Sequence, residues 1–237
     1  MNGIAGPIVR VPLALGFLAA TLMVVVSNQQ TKAAENGWVP LFNGKNLDNF
    51  VQRGGKAKYR IEGDTIVGSS VPNTPNSFLC TKNEYGDFTL ELEFKVDPAL
   101  NSGVQIRSQH FDEPKQVEAS GKTIKIPAGR VHGYQVEIDP SPRAYSGGIY
   151  DESRRGWLAD LKNNEAGRKA FKANDWNKFK IVCKGDSIKT WINDIPAVEL
   201  TDAMTPKGFI ALQVHGVGKK EEPMEVRWRN IRIQEIK

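Results

Sequence analysis

The chain has 237 residues, 40% of them hydrophobic and 25% charged, which is ordinary for a soluble globular protein of one domain or a small pair. Its formal charge of +5 falls to +3 once the first 33 residues, which carry Arg10 and Lys32 and no acid, are set aside. The basic residues are scattered, with no run of five and no zinc-finger spacing, so no nucleic-acid partner is expected.

The N-terminus reads as a targeting segment. Arg10 precedes an apolar stretch over residues 11–26, broken only by Pro12, Gly16 and Thr21, and small residues follow at Thr31, Ala33 and Ala34. A charged start, an apolar middle and a small-residue cleavage region make a secretory signal. An uncleaved anchor is the other reading, but the run of about 16 residues is short against the ~20 that a bilayer span needs. We therefore expect a signal peptide over residues 1–33 and a single mature domain over 34–237. That domain would be exported to the periplasm or beyond the cell, with no membrane span after cleavage.

The mature chain is dominated by strand signals. KYRIEGDTIVGSS predicts two short strands around the Gly63-Asp64 turn. In DFTLELEFKV, Phe88, Leu90, Leu92, Phe94 and Val96 alternate with Thr89, Glu91, Glu93 and Lys95, the period of a half-buried strand. NSGVQIRSQ and GYQVEID follow, then a hairpin series in NKFKIVCKGDSIKTWINDIPAVEL, and FIALQVHG and MEVRWRNIRIQEI close the chain. About ten strands with turn signals every ~8–12 residues predict an all-β sandwich or barrel. Residues 111–129 and 152–171 read as long connections, the second with some helical potential. Cys80 and Cys183 sit in the strand-like runs SFLC and FKIVC, where a buried free thiol is the commoner state, although an exported protein could pair them. Neither has a neighbour at zinc-site spacing.

Three of these strands carry a narrow polar set on one face. Period two places Gln105 with Arg107, then Gln135 with Glu137 and Asp139, then Gln213 with His215, each opposite branched apolar residues. Solvent facing would account for any one strand. Amides, carboxylates, a guanidinium and an imidazole recurring together are the groups expected around a ligand with many hydroxyls. Along one strand, a retaining β-glucanase needs two carboxyl groups about 5–5.5 Å apart. Gln135 occupies the place where such an enzyme carries its first acid, which weakens that reading although Glu137 and Asp139 could still pair.

GWVPLFNGKNLDNF, EYGDFTLELEFKV, NSGVQIRS, GYQVEID, SGGIYD, IALQVHG and VRWRNIRIQEI, in this order over residues 38–236, resemble the 3-keto-disaccharide hydrolase domain family. The resemblance implies a concanavalin A-like jelly roll of two antiparallel sheets with a concave carbohydrate-facing sheet. It also implies action on glycosides whose glucose ring carries a ketone at C3. That ketone acidifies the C2 hydrogen, so a base can remove it, the enolate is stabilised by a cation, the C1 group leaves, and water adds back. On this reading Glu137 or His215 is the base, the other protonates the leaving group, and Arg107 stabilises the enolate. Gln105, Gln135, Gln213, Asp139 and Tyr150 would bind hydroxyls, and Trp157 would stack on a sugar ring or anchor its loop. A divalent metal held by Glu137, Asp139 and His215 could replace Arg107 as electrophile, and sandwiches of this clan often hold a structural calcium. The expected partner is an oxidised disaccharide or glycoside. Two alternatives stand beside this reading: a non-catalytic carbohydrate-binding module and a β-glucanase-like glycosidase.

Overall fold

The clearest alternation in the sequence becomes the clearest strand. Phe88–Val96 buries every second residue and leaves those between them half exposed, as a strand with one face on a core must. In the computed structural model, residues 1–3 and 37–236 are described. Apart from its first three residues, the expected signal peptide lies outside them. No helix among the described residues is long and apolar enough to cross a membrane.

The described residues form seventeen strands and one short helix. In chain order they are β1 (Val39–Pro40), β2 (Phe50–Gly54), β3 (Lys58–Glu62), β4 (Thr65–Ser69), β5 (Ser77–Tyr85) and β6 (Phe88–Val96). Next come β7 (Ser102–His110), β8 (Lys115–Ala119), β9 (Lys122–Ile126), β10 (Val131–Ile138), β11 (Ile149–Glu152) and β12 (Gly156–Ala159). Helix α1 (Glu165–Ala170) precedes β13 (Asn177–Lys184), β14 (Ser187–Ile192), β15 (Ile195–Thr201), β16 (Gly208–Val214) and β17 (Glu225–Glu235).

Two large sheets result. One runs β15-β14-β13-β6-β17-β4-β3 with β1 on β17, and the other runs β12-β11-β10-β7-β16-β5-β2. Every ladder is antiparallel. The chain passes between sheets from β5 to β6, back from β6 to β7, and across again from β16 to β17, which makes a jelly-roll sandwich and not two stacked meanders. The core lies between the sheets. Leu90, Leu92, Phe94 and Phe179 from the first meet Val104, Ile106, Tyr134, Val136 and Leu212 from the second, all essentially without exposure. The rings of Phe94 and Phe179 stand 4.5 Å apart. Truncating one such side chain to alanine costs about 3–5 kcal/mol in a packed core.

The two connections contain more structure than their composition suggests. Residues 111–129 hold the detached hairpin β8–β9, whose two-residue turn at Ser120-Gly121 has both φ angles positive, as a type I′ turn requires. Residues 152–171 hold edge strand β12 and helix α1, capped by the Asn164 side chain accepting from the Gly167 amide. These strands are short or exposed, so their alternation covers too few buried positions to be read.

Candidate active site on the outer face of the second sheet

The polar strands are neighbours in the sheet. Gln135 of β10 pairs with Gln105 of β7, and Glu137 with Gly103. Across β7, Ala211 of β16 pairs with Gln105, and Gln213 with Gly103. Since Val104, Ile106, Tyr134, Val136 and Leu212 point into the core, Gln105, Gln135, Glu137 and Gln213 share the sheet's outer face. They are nonetheless buried, none more than 5% exposed, so each must find partners within the protein.

Those partners form a directed chain. Ser108 Oγ donates to Gln105 Oε1 at 2.6 Å, and Gln105 Nε2 donates to Gln135 Oε1 at 2.6 Å. Gln213 Nε2 donates to the same Gln135 oxygen at 2.8 Å. With its oxygen taken by two amide donors, Gln135 must turn its NH2 the other way, where it donates to Glu137 Oε2 at 2.7 Å. Asn101 Nδ2 donates to the other carboxyl oxygen, Oε1, at 2.6 Å. Gly103 makes room for the chain: a Cβ there would lie 2.5 Å from Gln135 Cδ and 2.6 Å from its Cγ.

Glu137 is held by opposing effects. Burial raises its pKa above the ordinary value and outweighs the donors from Asn101 and Gln135, while Asp139 adds to the rise and Arg143 opposes it. The result is a fixed carboxylate that takes up a proton more readily than an exposed one. Tyr150 lies opposite Gln135 on β11. Burial, then the charges of Glu152, Glu137 and Asp151, raise its phenol. Two residues on, Glu152 is also raised, chiefly by burial, with Ser153, His215 and Arg130 pulling it down. His215 is exposed just beyond β16, and its Nδ1 donates to the Gly216 carbonyl at 2.8 Å, which leaves Nε2 free.

Trp157 pairs with Tyr150 across β12 and β11. Its ring meets Tyr145 and Tyr150 edge-on at 5.4 and 5.5 Å, and the Arg143 guanidinium lies 5.2 Å from its centroid. It is half-buried and serves as one wall of an aromatic corner.

Two residues leave the expected set. Arg107 does not share the face of Gln105. Ile106 pairs with Tyr134 and Gln109 with His132, so Arg107 and Ser108 together oppose Gly133 alone. This is a β-bulge, with Arg107 at φ 45° and Gly133 at φ 136°. The extra residue hands the outer face to Ser108 and turns Arg107 to the far side. There Nε donates to Gly86 O and Nη1 to Gly185 O, each at 2.8 Å, and Nη2 pairs with Asp87 at 2.9 Å. Arg107 ties turns of the two sheets together and is 1% exposed. Asp139 is likewise occupied. Its oxygens accept from Ser141 N, Arg143 Nε and Tyr145 N, which fold its own loop. Burial raises its carboxyl, but these donors win and hold it below its ordinary value.

The metal reading fails on the same geometry. Among the described residues no three His, Cys, Asp or Glu side chains are placed to hold a metal ion. Asp139 is spent on its loop.

The structure adds Asn101, Ser108, Arg143 and Glu152 to the site. The last was readable, since period two in IYDE puts Glu152 on the face of Tyr150. Arg143 lies in an irregular loop and carries no pattern. Cys80 and Cys183 are free and buried, the first on the outer-face cluster with Phe78 and Phe209 and the second in the main core.

Fold and site together define a jelly-roll sandwich with a buried polar network on one outer face. Three solved structures share the fold. The carbohydrate-binding module CBM66 from Bacillus subtilis superposes with a TM-score of 0.54 at 15% identity, covering 80% of this chain and 97% of that one. A galectin-like protein of unknown function from Bacillus subtilis gives 0.59 at 13%, covering 84% and 94%. A β-1,3-1,4-glucanase (lichenase) from a mouse hindgut metagenome gives 0.53 at 11%, covering 84% and 98%. No curated protein matches the chain by sequence. Residues 37–234 match the model of the 3-keto-alpha-glucoside-1,2-lyase-like domain, and the chain belongs to that family.

Proposed function

We propose that the domain cleaves 3-keto-glycosides by elimination across C1 and C2, with Glu137 as the base. The observation that carries this reading is the buried Glu137 carboxylate, held by two amide donors with its pKa raised by burial. A carboxylate with a raised pKa is a stronger base than an exposed one. Glu137 takes the C2 proton, the C–H electron pair becomes an enolate with its charge on the C3 oxygen, and collapse of that enolate forms the C1–C2 double bond and restores the ketone as the C1–O bond breaks. Arg143, whose charge is felt at Glu137, is given the enolate-stabilising role first expected of Arg107. The leaving oxygen takes a proton from Glu152, whose carboxyl burial raises. Water then adds its hydroxyl to C1 and its proton to C2, so the sum is hydrolysis. Gln105 and Gln213 act on Glu137 through Gln135, and Tyr150 and Trp157 offer the surface against which a sugar ring rests. Export to the periplasm or beyond completes the proposal.

The test compares aglycone release from a 3-keto-glucoside and its unoxidised parent. Release from the keto substrate only, lost in Glu137→Gln with binding retained, supports the assignment. A near-wild-type rate in Glu137→Gln refutes it. The half-exposed aromatic corner of Tyr145, Tyr150 and Trp157 favours a second reading as a binding module. Saturable binding without release from either substrate would establish that reading.

A further inference from the structure

The outer face of the second sheet does not end at the Gln105–Glu137 network. The cross-strand row from Glu137 runs through Gly103, Gln213 and Phe78 to Arg53 on β2. Four strand spacings make this about 19 Å. At that far end is a cavity of about 300 Å³ whose walls include Arg53, Lys82, Glu84, His110, Phe111 and Phe209.

Arg53 is not satisfied by the protein. Nη1 lies 2.9 Å from His110 Nδ1 and 3.2 Å from Nε2, yet Nε is buried with no hydrogen-bond partner. No ion pair among the described residues involves Arg53 or Lys82. His110 supplies no counter-charge, because a ring beside a guanidinium accepts only when neutral, and Asp112, 3.6 Å from it, points to solvent. A guanidinium that lines a cavity with no carboxylate paired to it is open to an anionic acceptor from outside the chain. A guanidinium selects planar or multi-oxygen anions. Phe111 and Phe209 provide apolar walls for the C–H face of a ring, and Glu84 an acceptor for its hydroxyls.

We propose that this cavity is a subsite for an acidic sugar, one whose carboxylate or sulfate pairs with Arg53. The inference does not depend on Glu137 chemistry, since it concerns binding at the other end of the face. Its consequence is a preference for glycans with an anionic unit several residues from the point of attack.

Calorimetric titration of the mature domain with glucuronate, glucose 6-sulfate and glucose tests it. Either acidic sugar should bind, identifying carboxylate or sulfate as the source, and glucose should bind more weakly. Arg53→Gln should weaken the acidic sugar about tenfold or more, the loss of a charge-assisted pair. Glu84→Gln should tighten it by removing the one acid in the wall. Labelled His110 gives a second readout, because its ring signals should move on titration in the wild type and not in Arg53→Gln. Equal affinity for glucose and glucuronate overturns the proposal, as does affinity for glucuronate that survives Arg53→Gln. Absence of binding at millimolar concentration with His110 signals unmoved also overturns it. Loss of keto-glucoside cleavage in Glu137→Gln alone leaves this result untouched, so the two readings fail separately.

Discussion

Gly103→Ala is the sharpest perturbation of the site, because it adds one methyl group at a position with no unusual backbone angle. Gly103 is absent from the positive-φ residues, so alanine brings no backbone strain there. The added Cβ would meet Gln135 Cδ at 2.5 Å, Cγ at 2.6 Å and Nε2 at 2.8 Å. Contacts this short force the amide aside, and three hydrogen bonds converge on it. Two are neutral, worth about 1 kcal/mol each, and one reaches a carboxylate, worth about 1.5–3 kcal/mol. With some bonding regained after the shift, the expected loss is about 3 kcal/mol, or about 6–12 °C in Tm for a domain of this size. Urea unfolding and thermal melts measure it. Function should change in a defined direction. Glu137 loses a donor that favours its charged form, so its pKa rises further and the acidic limb of the pH–rate profile moves to higher pH. The control is Gln135→Ala, which removes the obstructed group. If the chain of amides is what Gly103 accommodates, Gly103→Ala costs far less in that background. Equal costs in both backgrounds, or an unchanged Tm in the single variant, would refute the reasoning.

Three further outcomes are expected. Arg107→Ala leaves the Gly86 and Gly185 carbonyls without their buried donor, so stability falls by at least about 2 kcal/mol in denaturant titrations, while the KM of the protein that remains folded is unchanged. If Glu137 is the base, kcat/KM falls as pH drops through its raised pKa. Stability carries the opposite sign: the raised group favours the folded state fully below its unfolded value, and that contribution is lost as pH rises through the folded value, so Glu137→Gln should flatten this window in unfolding curves collected across pH. Burial pushes both thiols up to about 12, so a thiol reagent at about pH 8 should modify neither cysteine until denaturant is added.

How far the sequence reveals the site depends on the range of the interaction. Period two placed Gln105, Gln135, Glu137 and Gln213 on one face from local pattern alone, and the structure has them in hydrogen-bond contact. The same rule misplaced Arg107, because a bulge is a property of a strand pair. Nothing in VQIRSQ announces that Gly133, on the partner strand, will face two residues at once. Asp139 continued the alternation on paper, but β10 ends at Ile138. One residue past the ladder, a carboxylate is free to fold its own loop. Arg143 could not be found at all, since its nearness to Glu137 depends on how that loop returns. Hairpin β8–β9 and edge strand β12 were hidden for a different reason. They bury little, and burial is what writes a hydrophobic pattern into a strand.

The two sheets also show what distinguishes a site from a surface. On the first sheet the outward carboxylates Glu91 and Glu93 pair with Arg232 and Arg229 at 2.6 Å. Such partly exposed pairs contribute about 0–1 kcal/mol each. Around Glu137 the second sheet uses neutral amides. An amide donor fixes a carboxylate in space, yet lowers its pKa less than a full positive charge would. Burial is then left to dominate, and Glu137 rises where an arginine at position 135 would have pulled it down. The glutamines that count against a glucanase nucleophile are thus the residues that the proposed buried base requires. Arg143, the cation assigned to the proposed chemistry, is spent mainly on Asp139 and reaches Glu137 only as a weaker influence. Position without neutralisation is what separates this face from the ion-paired one on the other side of the sandwich.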